Sequence, residues 1–269
     1  MEVFTAIILG IVQGITEFLP ISSTGHLILV QEVLGVSDIY GLSFDAILHL
    51  ATALAVGIYF RKDFLKMFYA FLYRITGRPV EKKDEQLMWL LIIGTIPAAV
   101  LGFFLEGYMD TIFRSPVLVA WTLVLGALVF LFAEWIGKRY EFQEEVPTKV
   151  RALWIGFFQA LALIPGMSRS GMTMSGGLML GLTREAAARF GFMLAFPIIL
   201  GSGGKKLLDL FNAGAFDTNI APILWGAIAA FVSGLLTVHY LLKFVKNHSL
   251  TVFAVYRIVL AVVVLIWLV

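Results

Sequence analysis

The stretch LPISSTGH, Leu19 to His26, interrupts an apolar segment that runs from residue 4 to residue 34. Proline, glycine and three hydroxyl residues stand together in it, and such clusters end helices and form loops. The whole segment is too long for one membrane span, which needs about 20 apolar residues. A loop at membrane depth is tolerated only where protein or a water-filled cavity satisfies its backbone. The segment therefore predicts a re-entrant helix–loop–helix hairpin.

A second segment, residues 152–182, has the same character and is interrupted by IPGMSRSG, Ile164 to Gly171. Sliding the sequence by 146 residues superimposes the two interruptions. The matched pairs are Gly10 and Gly156, Gln13 and Gln159, Ser22 and Ser168, Thr24 and Ser170, Gly25 and Gly171, Phe44 and Phe190, Gly57 and Gly203, and Asp63 and Asp209. One offset that recovers so many landmarks predicts an internal repeat with one broken hairpin in each half.

The composition places the whole chain in a membrane. Of its 269 residues 60% are hydrophobic and only 14% are charged, and the mean hydropathy is +0.92. A soluble protein of this size cannot bury so much apolar surface, and the remainder would form aggregating patches. The absence of cysteine excludes a secreted disulfide scaffold. A net charge of only +2, without a basic domain, excludes nucleic acid as a partner and leaves membrane lipids as the surroundings.

Six further apolar stretches have the length of a membrane span. They are residues 42–60, 87–105, 117–136, 190–211, 221–242 and 252–269, and a polar loop is expected at 61–86. The fold class is therefore an all-α polytopic membrane protein with six transmembrane helices and two re-entrant hairpins in a single domain, 1–269. Repeat one covers about 1–136, with hairpin 4–34, and repeat two covers about 150–269, with hairpin 152–182. Because each repeat holds an odd number of spans, the two repeats are inverted relative to each other.

The distribution of basic residues predicts the orientation in the cell membrane. The loops after spans one, three and five, together with Arg184 and Arg189 in the loop after the second hairpin, hold 15 of the 20 lysines and arginines, and the opposite side holds three, Arg114, Lys205 and Lys206. Basic residues accumulate on the cytoplasmic side of the membrane. Both termini are therefore expected outside the cytoplasm, the first hairpin enters from outside, and the second hairpin enters from the cytoplasm.

Ionisable residues at membrane depth are costly and are candidates for function. Glu17 and Arg169 lie one in each hairpin, and Gln13 shares a helix face with Glu17 because the two are four residues apart. An arginine, hydroxyls and backbone amides at glycines suit a phosphate, with Glu17 as base or metal ligand. Ser23 or His26 is the candidate nucleophile. The candidate phosphate-binding residues are Ser22, Thr24, Gly25, Ser168, Ser170, Gly171 and Thr173.

Each of these features also has a purely structural explanation. Hydroxyl and glycine residues often serve only helix packing in membranes, and Glu17 with Arg169 could form a structural ion pair. Asp45 and His49, four residues apart in the first span, form either a pair that supports the site or a structural pair, and the structural interpretation is favoured. Arg257 and Glu134 are interpreted as structural or as side chains that reach towards the membrane surface.

The two motifs resemble a known family. GIVQGITEFLPISSTGH, Gly10 to His26, and PGMSRSGMT, Pro165 to Thr173, closely resemble the signatures of the undecaprenyl-diphosphate phosphatases, the bacitracin-resistance family. The resemblance extends over nearly the whole chain. It implies hydrolysis of a polyprenyl diphosphate lipid to the monophosphate and inorganic phosphate, which recycles the lipid carrier of cell-wall synthesis and confers bacitracin resistance.

The resemblance also implies roles for single residues. Gln13 and Glu17 match the family's Glu/Gln-x-x-x-Glu motif, and both are candidate ligands of a divalent cation, Mg²⁺ or Ca²⁺. Ser23 and His26 match its serine and histidine, and Arg169 matches its phosphate-gripping arginine. The site is expected to open to the extracytoplasmic side.

Three alternatives stay open from the sequence. The nucleophile is Ser23, with Glu17 as base and His26 as the acid for the leaving lipid phosphate or the base for water, or the nucleophile is His26. The protein is a phosphatase or, because inverted repeats with broken helices are common in transporters, a transporter or flippase of the carrier lipid. The oligomeric state is open, with a homodimer as one arrangement.

Overall fold

A computed structural model describes residues 1–36, 38–111, 116–140, 143–212 and 220–267. Within these ranges the protein is all-α and has eleven helices. In chain order they are α1 Val3–Phe18, α2 Ser23–Leu34, α3 Asp38–Tyr59, α4 Arg61–Ile75, α5 Lys82–Thr111, α6 Pro116–Gly137, α7 Lys149–Leu161, α8 Arg169–Met179, α9 Arg184–Asn212, α10 Ile220–Asn247 and α11 Thr251–Trp267. The all-α class expected from the sequence is confirmed.

The first broken segment forms two helices, as its sequence predicts. Helix α1 ends at Phe18 because Leu19 precedes a proline and takes an extended conformation, with φ −62° and ψ 139°. The chain then turns at Ser22, whose φ is +73° and whose hydroxyl accepts the amide proton of Gly25. This hydrogen bond caps the N-terminus of α2 and satisfies one of its free amides.

The second broken segment repeats this geometry. Helix α7 ends at Leu161, and α8 begins at Arg169 after a cap residue, Ser168, with φ +71°. The Ser168 hydroxyl accepts the amide proton of Gly171, as Ser22 does from Gly25. In the described parts of the chain, Ser22 and Ser168 are the only non-glycine residues with positive φ. Their shared backbone geometry supports the 146-residue internal repeat.

Four helices have the length and apolarity of a membrane span, namely α5, α6, α9 and α10 over Lys82–Leu105, Val117–Gly137, Arg184–Asp209 and Ile220–Asn247. They coincide with four of the six stretches expected from the sequence, and they make this a polytopic membrane protein. The stretch 42–60 lies in α3, which bends by 79° into α4. The stretch 252–269 lies in α11, which at 17 residues is shorter than these four helices. Residues 268 and 269 of the stretch fall outside the described residues. The count of six spans stays a prediction.

The prediction of a polar loop at 61–86 was wrong for most of its length, since only residues 76–81 lie between helices and residues 82–86 already belong to α5. Helix α4 occupies Arg61–Ile75 and buries Met67 and Ala70 on one face. The high charge of the segment favours a loop, whereas the spacing of its apolar residues fits a helix. A helix with apolar residues on one side and cations on the other satisfies both features.

The loop assignments of four other cations also need correction. Arg184 and Arg189 lie in the first turns of α9, and Lys243 and Lys246 lie in the last turns of α10. These helices run beyond the apolar stretches, so the cations lie at helix ends. Arg114, counted on the opposite side, lies outside the described residues.

Each hairpin packs closely against one long helix. Helix α1 contacts α10 at Gly10, where an added Cβ would overlap the carbonyl oxygen of Gly226. Helix α7 contacts α5 at Gly156, where an added Cβ would overlap the carbonyl oxygen of Gly94. Gly10 and Gly156 are equivalent in the repeat. Small residues allow helix backbones to approach in this way, and the contacts fix the position of each broken end.

Candidate active site

The two broken segments meet at a cavity. The Ser170 hydroxyl at the start of α8 donates a hydrogen bond to the carbonyl oxygen of Leu19, at 3.1 Å, which joins the second break to the end of α1. The cavity beside this junction has a volume of about 370 Å³, its open mouth included. Its lining consists of Glu17, Ser22, Ser23, Thr24, His49, Ala162, Ile164, Pro165, Gly166, Ser168 and Arg169.

Glu17 lies at the centre of this site. It is buried near the end of α1, and its Oε2 accepts hydrogen bonds from Ser23 Oγ at 2.6 Å and from Gln13 Nε2 at 3.0 Å. The four-residue spacing places Gln13 and Glu17 on one helix face, as the sequence predicts. Ser23 reaches the same carboxylate because the break reverses the chain. A serine hydroxyl bonded to a carboxylate is arranged to lose its proton to that carboxylate.

Arg169 brings a positive charge to the carboxylate from the second hairpin. Its Nη1 lies 3.5 Å from Glu17 Oε1, longer than an ordinary hydrogen bond. Among the described residues this buried Nη1 has no hydrogen-bond partner. Because Arg169 lines the cavity, its guanidinium can bind an anionic oxygen there.

His49, for which the sequence favoured a structural role, lies in the site. Its Nε2 lies 3.5 Å from Glu17 Oε2, and the ring lines the cavity. The other ring nitrogen, Nδ1, donates to the carbonyl oxygen of Asp45 at 2.7 Å, since a carbonyl can only accept. Nε2 therefore faces the carboxylate as a lone pair, or as a donor when the ring is protonated. The available signal was an i, i+4 polar pair within an apolar span, which was interpreted as structural.

His26 lies away from the cavity lining. Its Nδ1 is bonded to the carbonyl oxygen of Ser22 and its Nε2 to the hydroxyl of Tyr256, each at 2.7 Å. The imidazole is buried and stacks on the Tyr256 ring, with 5.6 Å between centroids. Both ring nitrogens are thus occupied by other groups. The catalytic role expected for His26 stays a prediction that this geometry does not favour.

The expected phosphate-binding residues divide into two groups. Ser22, Thr24 and Ser168 line the cavity. The others do not line the cavity and form hydrogen bonds within and between the breaks. The amides of Gly25 and Gly171 donate to the cap serines, and the Ser170 hydroxyl donates to the carbonyl oxygen of Leu19. Thr173 Oγ1 donates to the carbonyl oxygens of Arg169 and Ser170.

The same site offers few ligands for a cation. Among the described residues, no three histidine, cysteine, aspartate or glutamate side chains form a metal-binding group. Among the described residues that line the cavity, Glu17 is the only carboxylate. Beside it, the Oε1 atom of Gln13 is buried and has no hydrogen-bond partner in the described structure. These two side chains offer oxygen donors, and water or a substrate would have to supply the other ligands of a cation.

Comparisons with known proteins agree with this chemistry. Residues 6–263 match the family described as bacitracin resistance protein BacA. A protein from Rubrobacter xylanophilus named undecaprenyl-diphosphatase is 42% identical over 98% of this chain and 97% of its own length. Relatives with the same name from Alteromonas mediterranea and Nitrosococcus oceani are 43% and 42% identical, over 100% and 97% of this chain and 99% and 97% of their own lengths.

Proposed function

This chain belongs to the bacitracin resistance protein BacA family, and from that premise we propose that it hydrolyses undecaprenyl diphosphate, or a similar polyprenyl diphosphate, to the monophosphate and inorganic phosphate. The observation that carries the proposal is the 2.6 Å hydrogen bond from Ser23 Oγ to Glu17 Oε2 beside the Arg169 guanidinium. It supports a site in which Ser23 is the nucleophile, Glu17 the base and Arg169 the anion-binding cation, all three lining one cavity. The relatives are named as phosphatases, and nothing in them supports the transporter hypothesis.

Ser23 supplies the nucleophile in this mechanism. Glu17 accepts the hydroxyl proton while Oγ forms a bond to the terminal phosphorus. The bond from that phosphorus to the bridging oxygen breaks, and its electron pair leaves with the lipid monophosphate, which takes the proton from Glu17. Water then attacks the phosphoserine and gives its proton to Glu17. Ser23 recovers a proton as inorganic phosphate leaves.

Arg169 stabilises the charge on the transferring phosphoryl group. The planar guanidinium of Arg169 lines the cavity and can donate to two phosphoryl oxygens in the fork geometry that suits phosphate. The hydroxyls of Ser22, Thr24 and Ser168 line the cavity and can donate to the remaining oxygens. In a cavity with apolar walls, such fixed donors stabilise developing charge more than water does.

The geometry favours Ser23 over His26 as the nucleophile. Attack by a histidine needs a free ring nitrogen, and both nitrogens of His26 are hydrogen bonded outside the cavity. His49 is the imidazole that lies against Glu17, and when protonated it adds a second cation beside the carboxylate.

A divalent cation, Mg²⁺ or Ca²⁺, is proposed as the cofactor. Glu17 and the unbonded Oε1 of Gln13 are oxygen donors, the type that these hard cations prefer. Magnesium commonly binds through one or two carboxylates together with the phosphates of a substrate. Glu17 and Gln13 would therefore hold the cation jointly with the diphosphate. When bound, it would withdraw charge from the phosphoryl oxygens.

The membrane arrangement completes the proposal. Six spans and two hairpins in an inverted repeat would bring both breaks to the middle of the bilayer, with the lipid tail between the spans. The basic residues predict that both termini face outside the cytoplasm, and the family resemblance implies that the cavity opens to the same side. A homodimer stays a prediction.

Phosphate release from a polyprenyl diphosphate by detergent-purified protein tests the reaction. We expect Ser23→Ala to lower kcat by about 10³-fold or more, because the nucleophile is removed. Ser202→Ala, on an exposed turn of α9, is the matched control and should keep wild-type activity. Normal release from Ser23→Ala would exclude the assignment, and an inactive His26→Ala beside an active Ser23→Ala would transfer it to His26.

Site-directed labelling tests the orientation, since the chain has no native cysteine. Lys83→Cys, at the start of α5, should react with a membrane-impermeant thiol reagent only after the cells are opened. Labelling in intact cells would show that position 83 lies outside the cytoplasm and would contradict the predicted orientation.

A further inference from the structure

Arg257 is a buried cation that the mechanism does not use. It lies in α11 with 0% of its surface exposed. Its guanidinium donates to five backbone carbonyl oxygens, those of Leu123 at 3.1 Å, Pro20 at 3.5 Å, Met167 at 2.9 Å, Thr122 at 3.3 Å and Gly166 at 2.8 Å. A buried charge is costly unless its hydrogen-bonding capacity is met, and here peptide dipoles meet it.

The five carbonyls come from three separate parts of the chain. Pro20 lies in the first break, two residues before the cap residue Ser22. Gly166 and Met167 lie in the second break, directly before Ser168, and Gly166 lines the cavity. The remaining two carbonyls belong to α6. One side chain therefore bonds both breaks and the helix beside them.

The irregular backbone of the breaks explains why this arginine is needed. A break leaves carbonyl groups without the intrahelical donors they would have in a continuous helix, and in a membrane no lipid group can replace those donors. Arginine presents its donors in a rigid planar fork. Lysine has a single ammonium group on a flexible stem and cannot reach carbonyls spread over such a plane.

Helix α6 is shaped to receive the guanidinium. An added Cβ on Gly126 would overlap it, so a larger residue there would displace the side chain. The Phe130 ring, one turn further along α6, lies 4.9 Å from Arg257 Cζ, within the range of a cation–π contact. These two residues form a fitted seat for the guanidinium next to the broken segments.

We propose that Arg257 is a positioning residue for phosphoryl transfer. It sets the first break, which carries Ser23, against the second break, which carries Arg169, and it does so from behind the cavity without touching the substrate. The inference rests on the proposed phosphatase function. Catalysis in such a site depends on alignment, because a displacement of about 1 Å can lower a rate by about 10²-fold.

The test compares Arg257→Lys with Arg184→Lys. Arg184 makes a bidentate ion pair with Glu134 at 2.9 and 2.7 Å, and this pair lies at the far end of α6 from Thr122. We expect Arg257→Lys to lower kcat by about 10- to 100-fold with a smaller change in KM. We also expect faster hydrogen exchange in both breaks, over residues 19–24 and 163–168. The Arg184 variant should lower the thermal midpoint and leave kcat and both breaks unchanged.

A second variant keeps the test decisive if Arg257→Lys does not fold. Gly126→Ala retains the arginine and displaces its guanidinium, so it should lower kcat and loosen both breaks. Gly137→Ala in the same helix is the control, since an added Cβ there meets its nearest neighbours at an ordinary 3.6 Å or more.

Each outcome decides a separate point. Wild-type kcat, or unchanged exchange in either break, in folded Arg257→Lys or Gly126→Ala would overturn the positioning role. If the wild-type protein releases no phosphate, the proposed function fails. Hydrogen exchange at the two breaks still decides in that case whether Arg257 positions them.

Discussion

The first and second hairpins share a backbone plan and differ in chemistry. In both, a serine with positive φ caps the second helix, and a glycine of the first helix lies against a neighbouring backbone. At the repeat-equivalent positions, however, Glu17 corresponds to Leu163 and Ser23 corresponds to Arg169. The first hairpin thus holds the acid and the hydroxyl, and the second holds the cation. The cap and the glycine contact set the shape of a break, whereas the residues beside them set its chemistry.

The two buried glutamines show the consequence of this difference. Gln13 donates to Glu17, four residues further along the chain, whereas the residue four positions after Gln159 is Leu163, which has no carboxylate. Both amide atoms of Gln159 are buried without a hydrogen-bond partner in the described structure. Of the two glutamines, only Gln13 has a carboxylate partner in the described structure.

The largest expected effect tests the division of chemistry between the hairpins. Glu17→Gln keeps the shape of the side chain and removes the base, so kcat for phosphate release should fall by about 10²- to 10⁴-fold. The equivalent conservative change in the second hairpin, Leu163→Met, should keep kcat because volume is nearly conserved. A comparable loss of kcat in the two variants would contradict a specific role for the Glu17 carboxylate.

The caps test the similarity of the two backbones. Ser22→Ala and Ser168→Ala each remove one cap hydrogen bond, and each should lower the free energy of unfolding by about 1 kcal/mol. Thermal unfolding followed by tryptophan fluorescence measures this loss. Thr148→Ala, which removes the cap of α7 at an exposed site, should cost a similar amount and leave activity unchanged. A loss several times larger at one serine than at the other would show that the two breaks are not energetically equivalent.

The smallest expected effect concerns the unused glutamine. Gln159→Leu removes a buried amide without partners, so the free energy of unfolding should stay constant or rise, by at most about 1–3 kcal/mol. Gln13→Leu should instead lower activity, because Glu17 loses a hydrogen-bond donor. The same unfolding and phosphate-release measurements compare the two. Destabilisation by Gln159→Leu would reveal a partner for this amide, such as a bound water.

The spacing of nearby residues was sufficient to predict those features whose residues lie close together in the sequence. The breaks at Leu19 and Ile164 follow from proline, glycine and hydroxyl clusters, and the shared face of Gln13 and Glu17 follows from helical periodicity. Helix α4 was missed although its periodicity is local, because its cations made the segment look like a loop. The correction needed only a test for amphipathicity.

Contacts between distant residues could not be derived in this way. His26 and Tyr256 are 230 residues apart, and Pro20 and Arg257 are 237 apart. Periodicity gives the face on which a residue lies but does not give the helix that packs against that face. The place of His49 beside Glu17 and the enclosure of His26 therefore appear only after the helices have packed.

The sequence by itself determined that this chain lies in a membrane, that it breaks at two equivalent places, and that the breaks carry a carboxylate, hydroxyls and an arginine. These features depend on composition and on the spacing of residues close together in the sequence, so they can be derived without the tertiary structure. Only the tertiary structure decided which imidazole faces the carboxylate, and that Arg257 bonds both breaks. Those relations depend on close packing between helices remote in sequence, at glycine contacts whose partners no single stretch of the chain specifies.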